Sequence, residues 1–414
     1  MKRHNPWRTF FLFVLLMFSV QSCLGLGGGN SNFKTVTTSS GQQVGINQTD
    51  QAVFKGKLYF TIGRNLYVLD GSRNLRQLTR GADVRDPAVS PNGQWIAFVV
   101  RYKNYADLVY MSTNGGSWHT LLSGQGVFQP NPGFAPKSTH NWVGQPAWSA
   151  DSSHLIFLGD LQKLYDWANH GLGNDFDQSP FLDMQVFTIP QHNPPPKSVV
   201  ETSGAVAYAS YGDGGDRDPS YRPGHPNEIV YTHYTYDSTR TQQVIQIFME
   251  DATMIASHPE MHYHPGDPGQ EFSPSIAITP PTTSVENLQP AFSPDGNELA
   301  YARRQDATHM GIYVMPVPNG VTANPNNPSV EQQALQPYKK SSLIVTGEFV
   351  SQPVWSPDGK QIAYLAYNNN SFDIWLATLS VNPTTGAYSM KGSPVQLTDA
   401  NGGLDGDSRP FWTP

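Results

Sequence analysis

An all-β chain, closed into a ring of six four-stranded antiparallel blades, is what three features of this 414-residue sequence predict. The first is composition: 37 Gly and 34 Pro stand beside only 14% charged residues, which suits many short strands joined by tight turns. The second is a segment that recurs six times at intervals of 57 to 73 residues. The third is that the chain opens with the second to fourth strands of one such unit and finishes with the first strand that completes it.

The beginning reads as a targeting segment. Lys2, Arg3 and Arg8 precede the almost wholly apolar run Phe10 to Val20, which is too short to cross a bilayer comfortably and has the layout of a secretory signal. Residues 1–22 are expected to be a lipoprotein signal peptide, because Val20-Gln21-Ser22-Cys23 resembles the bacterial lipobox. That resemblance implies that Cys23, the only cysteine of the chain, is the lipidated first residue of the mature protein. An unpaired exported thiol is otherwise reactive, and acylation accounts for its position and its uniqueness together. Loss of residues 1–22 removes three positive charges and no negative ones, moving the formal charge from −7 to −10. From Leu24 to Asp50 the sequence is rich in Gly, Ser, Thr, Asn and Gln, the composition of a flexible tether with a reach of about 30 Å. Residues 23–50 are therefore expected to be the lipidated cysteine and its tether, and 51–414 the folded body.

The repeats define that body. They are Asp86-Pro87-Ala-Val-Ser-Pro-Asn-Gly, Gln145-Pro146-Ala-Trp-Ser-Ala-Asp-Ser, Asp218-Pro219-Ser-Tyr-Arg-Pro-Gly, Gln289-Pro290-Ala-Phe-Ser-Pro-Asp-Gly, Gln352-Pro353-Val-Trp-Ser-Pro-Asp-Gly and Arg409-Pro410-Phe-Trp-Thr-Pro. Two residues after each proline comes a large apolar anchor: Val89, Trp148, Tyr221, Phe292, Trp355 or Trp412. The Pro-Asp-Gly or Pro-Asn-Gly that follows is a tight reversal, with Pro fixing φ at one corner and Gly accepting φ above zero at the exit. A second strand begins at once, as in Trp95-Ile-Ala-Phe98 and Ile362-Ala-Tyr364. A third carries an aromatic or methionine, as in Leu108-Val-Tyr-Met111 and Asp373-Ile-Trp-Leu376, and a weaker fourth follows, as in Val395-Gln-Leu-Thr398. Four antiparallel strands per repeat make a propeller blade, and six copies make six blades. Strands two to four of one blade are expected at Lys57 to Thr79, and its first strand at Ser408 to Pro414, so that pairing the two chain ends closes the ring without an open sheet edge.

The pattern x-Pro-x-Trp-Ser-Pro-Asp-Gly-x-x-Ile-Ala-Tyr resembles the TolB-type β-propeller repeat over nearly all of residues 51–414. The resemblance implies the propeller fold. Similar blades occur in periplasmic scaffold proteins, sugar-acid lyases and peptidase-linked domains, so function must come from the site.

In such a blade the one-to-two and three-to-four turns share one face, the bottom; the two-to-three and four-to-one loops share the other, the top. The chain enters the ring at a second strand, on the bottom, which places the lipid there and turns the top away from the membrane. Long insertions at 124–144, 159–183 and 203–216 belong to the top, where long loops on a rigid scaffold usually bind. Asp86, Gln145, Asp218, Gln289, Gln352 and Arg409 start the innermost strands and are expected to ring the channel mouth, where they could hydrogen-bond a ligand or merely cap strands and hydrate the channel.

Metal and catalytic signals are sparse. Asp213, Asp216 and Asp218, and likewise Asp405 and Asp407, form Asp/Gly clusters whose oxygens suit calcium, yet neither has the spacing of a complete calcium loop. His258, His262, His264 and Asp267 offer zinc-type ligands in a proline-rich loop on the bottom. No cofactor is predicted beyond these candidate calcium or zinc ligands. No G-x-S-x-G, H-E-x-x-H or G-x-x-x-x-G-K motif occurs, so no catalytic residue is assigned. The absence of a Lys/Arg block argues against nucleic acid. The expectation is a monomeric, extracytoplasmic, lipid-anchored scaffold binding an envelope protein, peptide or glycan through its top face, with a carbohydrate-active lyase or hydrolase at the channel top as the alternative.

Overall fold

In the computed structural model, residues 32–39, 41–128, 137–161, 183–195, 197, 206–207, 214–254 and 274–414 are described. β1 (Phe33–Thr37) and β2 (Gln43–Asn47) form a hairpin. β3 (Lys57–Ile62), β4 (Asn65–Asp70) and β5 (Leu75–Gln77) follow as a meander. β6 (Asp83–Val89), β7 (Trp95–Arg101), β8 (Ala106–Ser112) and β9 (His119–Leu122) make a four-stranded sheet. After the short pair β10 (Gln125–Phe128) and β11 (Lys137–His140) come β12 (Val143–Trp148), β13 (His154–Gly159) and β14 (Gln185–Pro190). β15 (Asp216–Tyr221), β16 (Glu228–Tyr236), β17 (Gln243–Asp251) and β18 (Ser275–Ala277) form the next sheet. β19 (Glu286–Phe292), β20 (Glu298–Arg304), β21 (Met310–Pro316) and β22 (Ser342–Gly347) follow, with helix α1 (Pro328–Ala334) between the last two. β23 (Val350–Trp355), β24 (Gln361–Asn368), β25 (Ser371–Val381), β26 (Tyr388–Met390) and β27 (Val395–Gln396) form a five-stranded sheet. β28 (Thr398–Asp399) pairs with β2, and β29 (Phe411–Thr413) pairs with β3.

The result is an all-β propeller of antiparallel blades, mostly four-stranded, but the expectation of six is corrected. Among the described residues seven sheets have three or more strands. Six of these hold the repeat segments, in β6, β12, β15, β19 and β23 and at β29. The seventh is β1-β2-β28. Its first two strands come from the stretch expected to be tether, where Val44 and Ile46 are fully buried and pack with Leu397 and Ala400. The folded body therefore already includes Phe33 instead of starting at Gln51. Counting prolines missed this sheet because it carries no repeat segment, and the short β-branched residues of Phe33–Thr37 and Gln43–Asn47 sit among polar ones that resemble linker.

Proline dictates a local irregularity in five of the six repeats. Lacking an N–H, it cannot donate to the ladder, and the pairing slips between Arg85 and Ala88, Gly144 and Ala147, Arg217 and Ser220, Leu288 and Ala291, and Ser351 and Val354. Within these five bulges Asp86, Gln145, Asp218, Gln289 and Gln352 all take φ between 45° and 57°, a left-handed conformation that costs a non-glycine residue about 1–3 kcal/mol. The strand then ends in a serine-capped turn. In the Ser356-Pro-Asp-Gly turn, Ser356 Oγ donates to Asp358 Oδ1 at 2.8 Å and accepts the Gln361 N–H at 2.9 Å, while Gly359 supplies φ 68°.

Cores lie between adjacent blades. One contains Ala88, Ala97 and Leu108 of one sheet with Trp148, Leu155 and Phe187 of the next. The repeat tryptophans join neighbours by hydrogen bonds as well: indole Nε1 donates to Ala88 O from Trp148 and to Ala291 O from Trp355, both at 3.0 Å. At the seam Trp412 pairs opposite Leu58, donates to Lys55 O at 2.7 Å and stands edge-on to Phe54.

Candidate functional site

The six ring candidates do come together, and most of their polar atoms bind one another across blades. Asp86 accepts the Arg409 N–H at Oδ1 (2.9 Å) and the Gln145 N–H at Oδ2 (3.2 Å), and its own N–H donates to Ser408 Oγ at 2.9 Å. Gln145 Nε2 donates to Asp218 Oδ1 at 2.9 Å. Thr232 donates to Asp218 Oδ2 and accepts the Gln289 N–H, both at 3.0 Å, and Gln352 N–H donates to Gln289 Oε1 at 2.8 Å. The Arg409 guanidinium donates to Pro219 O at 3.1 Å and Pro146 O at 2.9 Å. Burial pushes the Asp86 and Asp218 carboxyls up, with Arg409 opposing the shift; burial pushes Arg409 down, with those carboxylates opposing. From their positive-φ bulges the side chains of Asp86, Gln145 and Gln289 reach the next blade, so the collar is an inter-blade clasp.

Two cavities flank it. Toward the bottom, one of about 300 Å³ runs along the innermost strands to the turn prolines Pro91, Pro294 and Pro357, with Tyr221, Trp355 and Arg409 in its wall. On the top lies a pocket of about 310 Å³, lined by Tyr234, Glu286, Arg304, Met310, Phe349 and Phe372 among others. β19 and β23 descend into the blade just past this pocket, and β16, β20 and β24 rise to it, which is why their ends meet here. Arg304 Nη2 pairs with Glu286 Oε1 at 2.6 Å. Phe349 and Tyr367, each 40% exposed, stand edge-on at 6.0 Å, and Tyr367 is 5.0 Å from Phe372. Burial, with the Asp218 charge next, pushes the Tyr234 hydroxyl up to about 12, and Arg217 lies over its ring at 5.8 Å.

Asp405 and Asp407 are claimed by arginines: Arg85 reaches them at 3.1 and 3.4 Å, and Arg101 reaches Asp407 at 2.6 Å. Asp216, fully buried, pairs with His233 Nδ1 at 2.9 Å. Among the described residues no group of three or more His, Cys, Asp or Glu is placed to hold a metal ion. Cys23, Asp213 and the group His258, His262, His264 and Asp267 lie outside the described residues, as does most of the insertions. Trp142 is half-buried against the Trp148 core instead of projecting from the face. Sequence reasoning missed Phe349, Tyr367, Phe372 and Arg304. Their signal was topological: each sits at the top end of a predicted second or third strand, or just before a first.

No protein-family profile matches the chain, and no curated protein does. Among solved structures it is similar to TolB from Acinetobacter baumannii, with 13% identity and a TM-score of 0.51 over 89% of this chain and 68% of that one. An oligogalacturonate lyase from Vibrio parahaemolyticus overlaps at 13% identity and a TM-score of 0.40, over 87% of this chain and 84% of that one. With its repeat segments at the start of each innermost strand and its ends paired through β29 and β3, the chain has the fold of a TolB-type β-propeller.

Proposed function

We propose that this chain is a lipid-anchored scaffold of the cell envelope that binds a protein, peptide or glycan segment on its top face. The observation that carries the reading is the top pocket, where Phe349, whose exposed ring stands edge-on to that of Tyr367, shares the lining with the Glu286–Arg304 pair. Flat apolar faces beside a fixed donor–acceptor pair suit a sugar ring or an extended peptide, which offer apolar patches and hydrogen-bonding groups in alternation. None of the six collar residues lines this pocket. An enzyme at this mouth needs an acid and a base facing one substrate atom; the pocket's described lining has a single carboxylate, Glu286, already paired with Arg304.

Extracytoplasmic placement rests on the signal-like residues 1–22 and the lipobox-like Cys23, supported by the likeness to TolB in fold. Among the described residues no helix is long and apolar enough to cross a membrane. The test places a photo-crosslinking amino acid at Tyr367 on the top or at Pro91 on the bottom, in cells. A covalent adduct at Tyr367 that is lost in Arg304→Ala supports the reading; adducts at Pro91 alone overturn it.

A further inference from the structure

We propose that a polar pocket between the β24–β25 hairpin, the 399–402 loop and β1 binds an uncharged oligosaccharide. The pocket holds about 560 Å³, within the range of small-molecule sites. It shares no lining residue with the pocket around Arg304 and is independent of what that pocket binds.

Asn368 pairs with Ser371 across a two-residue turn in which Asn369 and Asn370 take φ of 50° and 63°, a left-handed pair that asparagine tolerates. Beside the turn, buried side chains hold the loop that faces it. Asp373 Oδ1 accepts the Thr398 hydroxyl at 3.0 Å and the Ala400 N–H at 2.8 Å, and Ser371 Oγ accepts the Gly402 N–H at 2.9 Å. Gln396 Nε2 donates to Thr398 O at 2.8 Å. These groups fix the base of the pocket. Around it, Asn368, Asn369, Asn370, Asp399 and Asn401 make no side-chain hydrogen bond or ion pair among the described residues. One wall is aromatic. Asp399 of β28 pairs with Gly45 of β2, and a Cβ on Gly45 would stand 3.2 Å from both Phe33 Cδ1 and Asp399 Cβ. The missing side chain lets the half-buried Phe33 ring and the Asp399 carboxylate flank one opening.

The donor and acceptor set selects the ligand. Each amide offers an acceptor oxygen and two N–H donors, and Asp399 adds a carboxylate. Sugar hydroxyls donate and accept at once, in closely spaced pairs, and the C–H face of a sugar ring suits an apolar aromatic wall. No Lys or Arg lines the pocket, so a uronate, phosphate or sulfate would meet Asp399 and Asp373 without a counter-charge. A metal ion fits no better. Both Asp373 oxygens already accept hydrogen bonds, and among the described residues no group of three or more His, Cys, Asp or Glu is placed to hold one. Phe33, Gly45 and Asp399 belong to the β1-β2-β28 sheet, which carries no repeat segment. The pocket is thus an addition to the ring, not a feature of every blade.

The experiment screens the full chain against arrayed neutral, amino and uronic oligosaccharides, then titrates the tightest neutral one by calorimetry. Neutral oligosaccharides are expected to bind. Asp399→Asn, and Asn368→Ala combined with Asn401→Ala, should each weaken binding roughly tenfold, with melting curves unchanged because these side chains hold nothing else in place. Phe33→Ala should weaken it as well, and Arg304→Ala should leave it unaltered. Neutral-sugar binding that survives both the Asp399 and the double asparagine variants overturns the site; if Arg304→Ala abolishes it instead, the sugar belongs to the other top pocket and the scaffold reading stands. Binding of no neutral oligosaccharide, or of uronic ones alone, overturns the site too. So does calcium chloride, titrated by itself, that binds the parent and fails to bind Asp399→Asn.

Discussion

Gln145 and Asp218 grip each other reciprocally: the Gln145 side-chain amide donates to Asp218 Oδ1 at 2.9 Å, and the Asp218 backbone N–H donates to Gln145 Oε1 at 2.6 Å. Two adjacent blades are thereby joined by one side chain. Gln145→Ala leaves both partners on Asp218 unmet in a buried setting, where each lost bond costs about 1–3 kcal/mol. The variant should fold but melt several degrees lower, and a melting curve superimposable on the parent would show that the clasp contributes nothing. For the same reason, replacing Asp86, Asp218 and Arg409 together is expected to loosen the ring itself, and loss of binding in that triple variant would say little about a ligand.

Glu298 provides a pH test. It is half-buried at the start of β20, its Oε2 has no hydrogen-bond partner, and burial, with the Asp295 charge next, pushes its carboxyl from 4.5 up to about 7. Between those values the folded chain keeps a proton that the unfolded chain has released, so this group's contribution to stability falls as pH rises through the window and is fully lost above it. Glu298→Gln should therefore melt higher than the parent at pH 8 and lose most of that advantage below pH 4.5. Equal differences at both pH values would mean the carboxyl is not the cause.

The repeat made much of this architecture legible, and the reasons are local. Proline, the apolar residue two places on and the Ser-Pro-Asp-Gly turn each have one structural consequence, and these recur in register. The clasp role of Gln145 was not legible, because it depends on a positive φ at a non-glycine residue that no residue preference announces. The hairpin of Phe33–Thr37 and Gln43–Asn47 was hidden because its stability comes from Val44 and Ile46 meeting Leu397, some 350 residues away in sequence. The top pocket was obscured by attention to long insertions, whereas its lining comes from ordinary strand ends.

Anchoring is tested at the one thiol. Cys23→Ala is expected to release the protein from the membrane fraction or to arrest its maturation, read by fractionation and by gel mobility. Unchanged membrane association together with unchanged mobility would rule out acylation at this residue.

Ring closure depends on a few residues of β29. Trp412 is 7% exposed, lies edge-on to Phe54 and donates to Lys55 O. Trp412→Ala removes a large buried ring and orphans that carbonyl, at a cost of about 3–5 kcal/mol. Denaturant unfolding should show the loss as one cooperative transition, because the seam builds one blade from both ends of the ring, β29 paired with β3. A separate early transition confined to β29 would mean the ring stays shut without it.

The binding face can be resolved by three substitutions with different expected outcomes. Arg304→Ala removes the fixed donor beside Glu286, and Phe349→Ala removes an exposed ring, while neither side chain belongs to the collar. Each should weaken capture of the crosslinked partner or glycan roughly tenfold, the usual scale for losing one charged hydrogen bond or one stacking surface, with melting temperatures close to the parent's. Pro357→Ala at the opposite mouth of the channel should leave capture unchanged. If Pro357→Ala alone abolishes capture, the ligand enters from the bottom cavity, where Tyr221, Trp355 and Arg409 would meet it. The top pocket would then be only a gap between blades.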